Sequence, residues 1–494
     1  MTTTQPAAAP AMPPADQLVQ TQHTVVINGV EIAYTATAGV IIMKEEAEKD
    51  GVSAGEQARA GIFFVAYTRD DVSDASRRPL TFAFNGGPGS SSVWLHLGLL
   101  GPQRVLMTEE GWPLPPPGRL APNPYSLLDV SDLVFIDPVS TGYSRPVAGE
   151  SAKQFHDFRK DIESVGDFIR LYTSRYGRWL SPKYLAGESY GTTRAAGLAG
   201  YLQERHGLYL NGLMLISAVL HFQTLSFDHG NDLPYMLFLP AYTATAFYHR
   251  RLEPELQRDL VATLRAAEAF AFGDYALALL QGDQLDPATF ERIATQLARY
   301  TGLSRDYIAR SRLRIRDDRF VKELLRDQHR TVGRLDSRFT GSDRDAVGET
   351  VELDPSLAAI TGPYTAALNH YVREQLGFSS DLPYEILTER VWPWSFNDHQ
   401  NRYVDVAETL RRAMHRNPAL RVHVASGYYD LATPYFATRY TLNHLALDPA
   451  LRRQISESFY PAGHMMYIQE TSLAALKAVL ADFVAVAPEE GASQ

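Results

Sequence analysis

The chain has 494 residues, 45% hydrophobic and 21% charged, with a formal net charge of -10, which suits a globular protein with a large core and argues against a surface that tracks nucleic-acid phosphates. It contains no cysteine, so disulfides, thiolate metal sites and a cysteine nucleophile are excluded. No apolar stretch approaches the roughly 18 residues that a membrane-spanning helix needs, and residues 1–18 lack the basic start and apolar run of a signal peptide, so the expected location is the cytoplasm.

Residues 1–20, rich in Ala, Pro, Thr and Gln, read as a disordered arm. Residues 23–27 and 30–35 flank Asn28-Gly29, the dipeptide suited to a type I′ turn, and read as a β-hairpin. Residues 40–43 add a short strand, 44–59 are charged and Gly-containing and read as a surface loop, and 62–68 read as a strand. The apolar runs 80–84, 133–136 and 212–216 are too short for helices and are closed by Gly, Pro, Asn, Asp or Ser, as buried strands of a mainly parallel sheet are. A helix is expected over 155–176, a strand over 183–186 and a helix over 192–205.

From 222 to 394 helix follows helix. Leu256, Leu260 and Leu264 share a face before Gly273, and Asp286-Pro287 starts a helix whose Phe290, Ile293 and Leu297 form a stripe before Gly302. The Arg-rich stretch 305–338 is interleaved with Asp306, Asp317, Asp318, Glu323, Asp327 and Asp336 and reads as a solvated helical face rather than a nucleic-acid or membrane contact. A strand returns at 420–425 and the last helix is 472–486. The organisation expected is a core in two parts, 21–221 and 395–488, interrupted by a helical insertion, 222–394, that caps the site.

Gly187-Glu188-Ser189-Tyr190-Gly191 sits between a strand and a helix. A serine hydroxyl needs a sharp turn to project it and a base to activate it, and Gly-x-Ser-x-Gly supplies the turn. The α/β-hydrolase fold places an acid and then a histidine on loops after later strands. Asp430, in Ser426-Gly427-Tyr428-Tyr429-Asp430, and His464, in Gly463-His464-Met465, stand in that order. Competing candidates are His399, His423 and Asp398. His423 lies inside a strand and has no loop to project from. The loop Asn85-Gly86-Gly87-Pro88-Gly89 offers unhindered N–H groups of the kind an oxyanion hole needs. It does not form a phosphate-binding motif, no metal-ligand spacing is present, and no cofactor or metal is expected.

Together these segments, with Asp137-Pro138-Val139-Ser140-Thr141-Gly142-Tyr143-Ser144, resemble the serine carboxypeptidase family in order and spacing from about residue 80 to 467. The resemblance implies an α/β-hydrolase fold and removal of single residues from peptides with a free C-terminal carboxylate. Ser189 is then the nucleophile, His464 the base and Asp430 its orienting acid. The N–H groups of Gly87 and Tyr190 would form the oxyanion hole, Asn85 and Glu188 would bind the substrate carboxylate, and Met465 would line the leaving-residue pocket. Glu188 can meet a carboxylate only when protonated, which favours acidic pH. Two positions depart from the family: Ser90 replaces a cysteine, and Leu99 replaces a second Glu that supports the first, so the acidic optimum does not carry over by resemblance. An esterase or acyltransferase with the same triad, and a catalytically silent peptide-binding protein, are the alternative readings. Oligomeric state is not legible.

Overall fold

The structure is a computed structural model that describes residues 14–485. The first 13 residues of the expected arm, and residue 486 with the close of the expected 395–488 segment, lie outside them. The rest of the arm is ordered: strand β1 (Gln17–Ile27) already starts at residue 17, and Asp16 accepts from the N–H of Ile42 at 2.7 Å and pairs with Arg175 at 2.5 Å. That correction reflects tertiary pairing, since Gln17 to Gln22 gain β structure only by registering against residues 35–40.

Strand β2 (Val30–Lys49) follows a turn in which Asn28 and Gly29 have φ of 52° and 77°, and β3 (Val52–Arg69) follows Asp50 and Gly51 at 54° and 77°, the positive pairs that a type I′ turn requires. The expected surface loop over 44–59 is therefore a continuation of β2 and β3 as a two-stranded ribbon, paired through Lys49↔Val52. Its residues are exposed on both faces, so no apolar alternation marks it as strand, and ion pairs such as Arg59 with Glu45 at 3.3 Å hold it.

The central sheet continues with β4 (Leu80–Phe84), β5 (Asp132–Ile136), β6 (Lys183–Ser189), β7 (Gly212–Ala218), β8 (Arg421–Gly427) and β9 (Ile455–Tyr460). The spatial order is β1-β2-β3-β5-β4-β6-β7-β8-β9; β1, β2, β3 and β5 pair antiparallel in turn, and the six strands from β5 to β9 pair in parallel. The interior strands are buried on both faces, which is why they read as continuous apolar runs. The chain leaves β4 to one side for β5 and returns across it to β6, so β4 and β6 lie at the switch point where loops part and α/β sheets hold their ligands.

On one face pack α1 (Phe158–Arg175) and α2 (Tyr190–His206). Asp157 caps α1 by accepting from the N–H groups of Arg159 and Lys160, and its Ile162, Val165, Phe168 and Ile169 meet the sheet. The opposite face is covered by α3 (Glu470–Ala485) through Leu473, Leu476, Leu480 and Phe483. Between β7 and β8 the chain builds a separate apolar core from helices that include Leu233–Tyr248, Leu260–Phe270 and Pro287–Thr301, with a two-residue β pair at Thr331–Val332 and Thr340–Gly341. Among the described residues no helix is long and apolar enough to cross a membrane.

Candidate active site

Ser189 closes β6 and Tyr190 opens α2. The serine backbone stands at φ 59° and ψ -130°, a region a residue with a Cβ keeps only when its surroundings over-determine it. Crowding demands glycine on both sides of the turn: a Cβ at Gly187 would lie 2.2 Å from the Gly191 carbonyl oxygen, and one at Gly86, in the loop after β4, 2.4 Å from the Tyr190 nitrogen. The Thr192 hydroxyl locks the turn, donating to the Ser189 carbonyl at 2.7 Å and accepting from the Val219 N–H at 2.9 Å. As the first helical residue, Tyr190 has an N–H with no intrahelical acceptor.

Asp430 and His464 come from the loops after β8 and β9, and His464 Nδ1 bonds Asp430 Oδ2 at 2.7 Å. Oδ1 of the aspartate accepts from the N–H groups of Ala432 at 2.7 Å and Thr433 at 3.0 Å, and Oδ2 also accepts the Thr433 hydroxyl at 2.8 Å. Burial works to raise the Asp430 pKa, but the His464 charge and these hydrogen bonds outweigh it and hold the carboxylate below its ordinary value. Burial works to lower His464, yet the charge and hydrogen bond of Asp430, with Glu188 behind, raise it above 6.5. With Nδ1 committed to the aspartate, Nε2 is the nitrogen left for a serine proton. Ser189 and His464 line one small cavity of about 90 Å³.

The histidine main chain is held from three sides. Ser217 at the end of β7 donates its hydroxyl to the His464 carbonyl at 2.6 Å, the His464 N–H donates to the Leu335 carbonyl at 2.7 Å, and the Gly463 N–H donates to Asp336 Oδ2 at 3.1 Å. Asp336 and Arg338 are buried and paired at 2.6 Å. This corrects the reading of 305–338 as a solvated face throughout: its C-terminal end folds under the histidine loop, because an Asp and an Arg two residues apart can neutralise each other and be buried together.

Asn85 follows β4. Its Oδ1 accepts from the Leu95 N–H at 3.1 Å and its carbonyl accepts from Arg194 Nη1 at 2.5 Å, while its Nδ2, buried close beside Glu188 and Tyr467, forms no well-aligned hydrogen bond with either. Arg194 is itself fully buried, paired with Asp161 at 2.8 Å and set over the rings of Phe84 and Tyr190. Glu188 is buried beside Ser189, and its Oε2 accepts the Tyr467 hydroxyl. Burial pushes the Glu188 carboxyl up to about 7, against the His464 charge and the Tyr467 hydrogen bond. Asn85, Gly87, Glu188 and Met465 line the same small cavity as Ser189 and His464. On the other side of Ser189, Gly87 and Tyr190 belong to a cleft of about 740 Å³ whose apolar walls include Phe222, Leu225, Leu357, Ile386 and Trp392. All eight residues singled out in the sequence thus meet around one serine.

The competing candidates lie elsewhere. His423 is buried between the hydroxyls of Ser456 and Ser458, at 2.8 and 2.9 Å, and burial lowers it to about 4. Asp398 pairs with Arg159 at 2.6 Å at the surface, and His399 lines a different pocket with Glu408 and Arg412. The segment 137–144 has a scaffolding role: Asp137 Oδ1 accepts both the N–H and the hydroxyl of Ser92 at 2.8 Å, binding the loop after β5 to the one after β4. Among the described residues no three His, Asp or Glu side chains group as metal ligands. Sequence reasoning missed Arg194, Asp336, Thr433 and Tyr467. Thr433 and Tyr467 each stand three residues beyond a proposed site residue, Asp430 and His464, but nothing in the local pattern marks what they bond.

Comparison with known proteins places this geometry. Residues 43–238 match the family model described as serine carboxypeptidase. Over that segment, under half of its length, the chain is similar to the serine carboxypeptidase family. The pheromone-processing carboxypeptidase KEX1 of Saccharomyces cerevisiae is 35% identical over 135 residues, 26% of this chain and 17% of that protein. Serine carboxypeptidase-like 36 of Arabidopsis thaliana is 28% identical over 161 residues, 32% of this chain and 31% of that protein. The chain therefore aligns with well under half the length of these relatives. The crystal structure of a prohormone-processing carboxypeptidase, KEX1(Δ)p of Saccharomyces cerevisiae, superposes with a TM-score of 0.55 at 16% identity, covering 91% of each chain. The shared fold is the α/β-hydrolase fold, and it extends well past the segment in which the sequences align.

Proposed function

We propose that the chain is a serine carboxypeptidase that hydrolyses the C-terminal peptide bond of peptides through an acyl-enzyme. The observation that carries this reading is the buried pair beside the nucleophile: a carboxyl raised to about 7 at Glu188 and an amide donor at Asn85 without a well-aligned partner, both lining the small cavity that holds Ser189 and His464. A general hydrolase has no use for a buried acid there. A neutral carboxyl and an amide N–H together make a receptor for a carboxylate.

In the sequence of events this supports, the peptide's terminal carboxylate settles on Asn85 and Glu188 with its last residue against Met465 in the small cavity, and the rest of the chain lies in the larger cleft. His464 Nε2 takes the Ser189 proton as Oγ attacks the carbonyl carbon, while Asp430 stabilises the imidazolium. The Gly87 and Tyr190 N–H groups receive the developing oxyanion. The proton then passes from His464 to the leaving amine, and water repeats the cycle on the acyl-enzyme.

The test is a pair of peptides differing only in a free or amidated C-terminus. The free acid is expected to be turned over at least tenfold faster, the worth of a charge-assisted hydrogen bond. Equal rates would overturn the reading; rates compared on esters, peptides and acceptor alcohols decide the esterase or acyltransferase alternative, and absence of fluorophosphonate labelling at Ser189 would favour the silent binder.

A further inference from the structure

The two oxygens of Glu188 are not equivalent. Oε2 accepts the hydroxyl of Tyr467, which stands on the short 3-10 turn Met466–Ile468 just past the catalytic histidine. Tyr467 is buried and its ring is wedged: a Cβ added at Gly98 would lie 2.5 Å from the Tyr467 ring and 2.8 Å from the Tyr364 hydroxyl. The ring therefore packs directly against the Gly98 backbone, where a side chain would displace it. Burial, and then the charge of Glu188, raise the phenol well above 10, so it remains a donor at any working pH. A phenol has one proton to give. Once that proton is on Oε2, Oε1 is the oxygen left to face the cavity.

We propose that Tyr467 is a positioning residue for ligand carboxylates: by occupying Oε2 it makes Oε1 the oxygen that carries Glu188's proton and donates it, beside the Asn85 amide, to the C-terminal carboxylate of a peptide. This inference rests on the carboxypeptidase reading. Only hydrogen bonds change, and the proton stays between Oε1 and the ligand oxygen throughout. The titratable groups facing Glu188 are His464 and Asp430 from the loops after β9 and β8 and Tyr467 from its turn, with Tyr364 of the helix Pro355–His370 beyond. Of these, Tyr467 is the one that donates directly to the carboxyl. Burial raises the carboxyl, and the Tyr467 hydrogen bond, after the His464 charge, favours the ionised form, so losing that bond moves the pH at which the corner loses its proton upward.

The experiment is kcat/KM against pH for a free-acid peptide and its amide, in the wild type, Tyr467→Phe, Glu188→Gln and the double variant. In Tyr467→Phe the alkaline limb seen with the free acid should move up by about one pH unit, because a donor to the carboxylate form is gone. The free-acid to amide ratio on the acid side should fall about tenfold, mostly through KM, because Glu188 is no longer oriented. In the Glu188→Gln background the same tyrosine change should move no limb. An unmoved limb in Tyr467→Phe, parallel losses on acid and amide, or a shift that persists without Glu188 would each overturn the proposal. A wild type that treats acid and amide alike would instead remove the carboxypeptidase reading, and that arm is read first.

Discussion

The two ends of the site handle polarity in opposite ways. At Asp430 both oxygens are occupied, by His464, Thr433 and two backbone N–H groups, and the carboxylate is held ionised. At the Asn85–Glu188 end one amide donor has no well-aligned partner and the carboxyl is held up to about 7. A saturated end is preorganised before substrate arrives, which is what orients a base. An unsaturated end stays costly until a ligand fills it, which makes ligand binding selective.

The largest expected effect tests the saturated end. Ser189→Ala should lower turnover by about 10⁴-fold or more and abolish fluorophosphonate labelling while the melting temperature holds. Residual turnover within tenfold of wild type would mean that another nucleophile operates. Next comes the strut beneath the Asn85 end. Arg194→Ala leaves Asp161 buried and unpaired and releases the Asn85 carbonyl, so denaturant unfolding should show a loss of about 3–5 kcal/mol. A loss under 1 kcal/mol would show that the pair is not a strut. The smallest effect separates the two ends. Asn85→Ala should cut kcat/KM on free-acid peptides by about tenfold and narrow the gap between acid and amide. Unfolding data on the same variant control for the lost Leu95 contact.

The pH dependence sharpens the same contrast. Glu188 must be protonated to meet a carboxylate, and its carboxyl loses its proton near 7, so kcat/KM on free-acid peptides should fall as pH rises through 7. On amidated peptides that limb should be absent. Both should share an acid limb as His464, raised above 6.5, takes up a proton. An alkaline limb common to both substrates would assign it to something other than Glu188.

How far the site was legible followed from how local each signal is. Ser189, Asp430 and His464 could be found because a strained turn and two post-strand loops leave glycine and order-of-chain signatures. Arg194 could not, because an arginine inside a helix looks like any solvated arginine until the Asn85 carbonyl and Asp161 are brought to it. Asp336 was misread for the same reason. The ribbon over 44–59 was missed because a strand solvated on both faces has no alternation to show.

By itself the sequence determined the α/β order and the elbow at Ser189, which depend on contacts a few residues apart or on short buried runs, and it singled out Asp430 and His464 by their order after later strands as the proposed partners. Only the tertiary structure decided what Leu99 means. That side chain is buried in the apolar core and brings no carboxyl, while the direct hydrogen bond to Glu188 comes from Tyr467, 279 residues along the chain. A hydrogen bond depends on distance in space, and no local pattern records which distant side chain the fold will bring there.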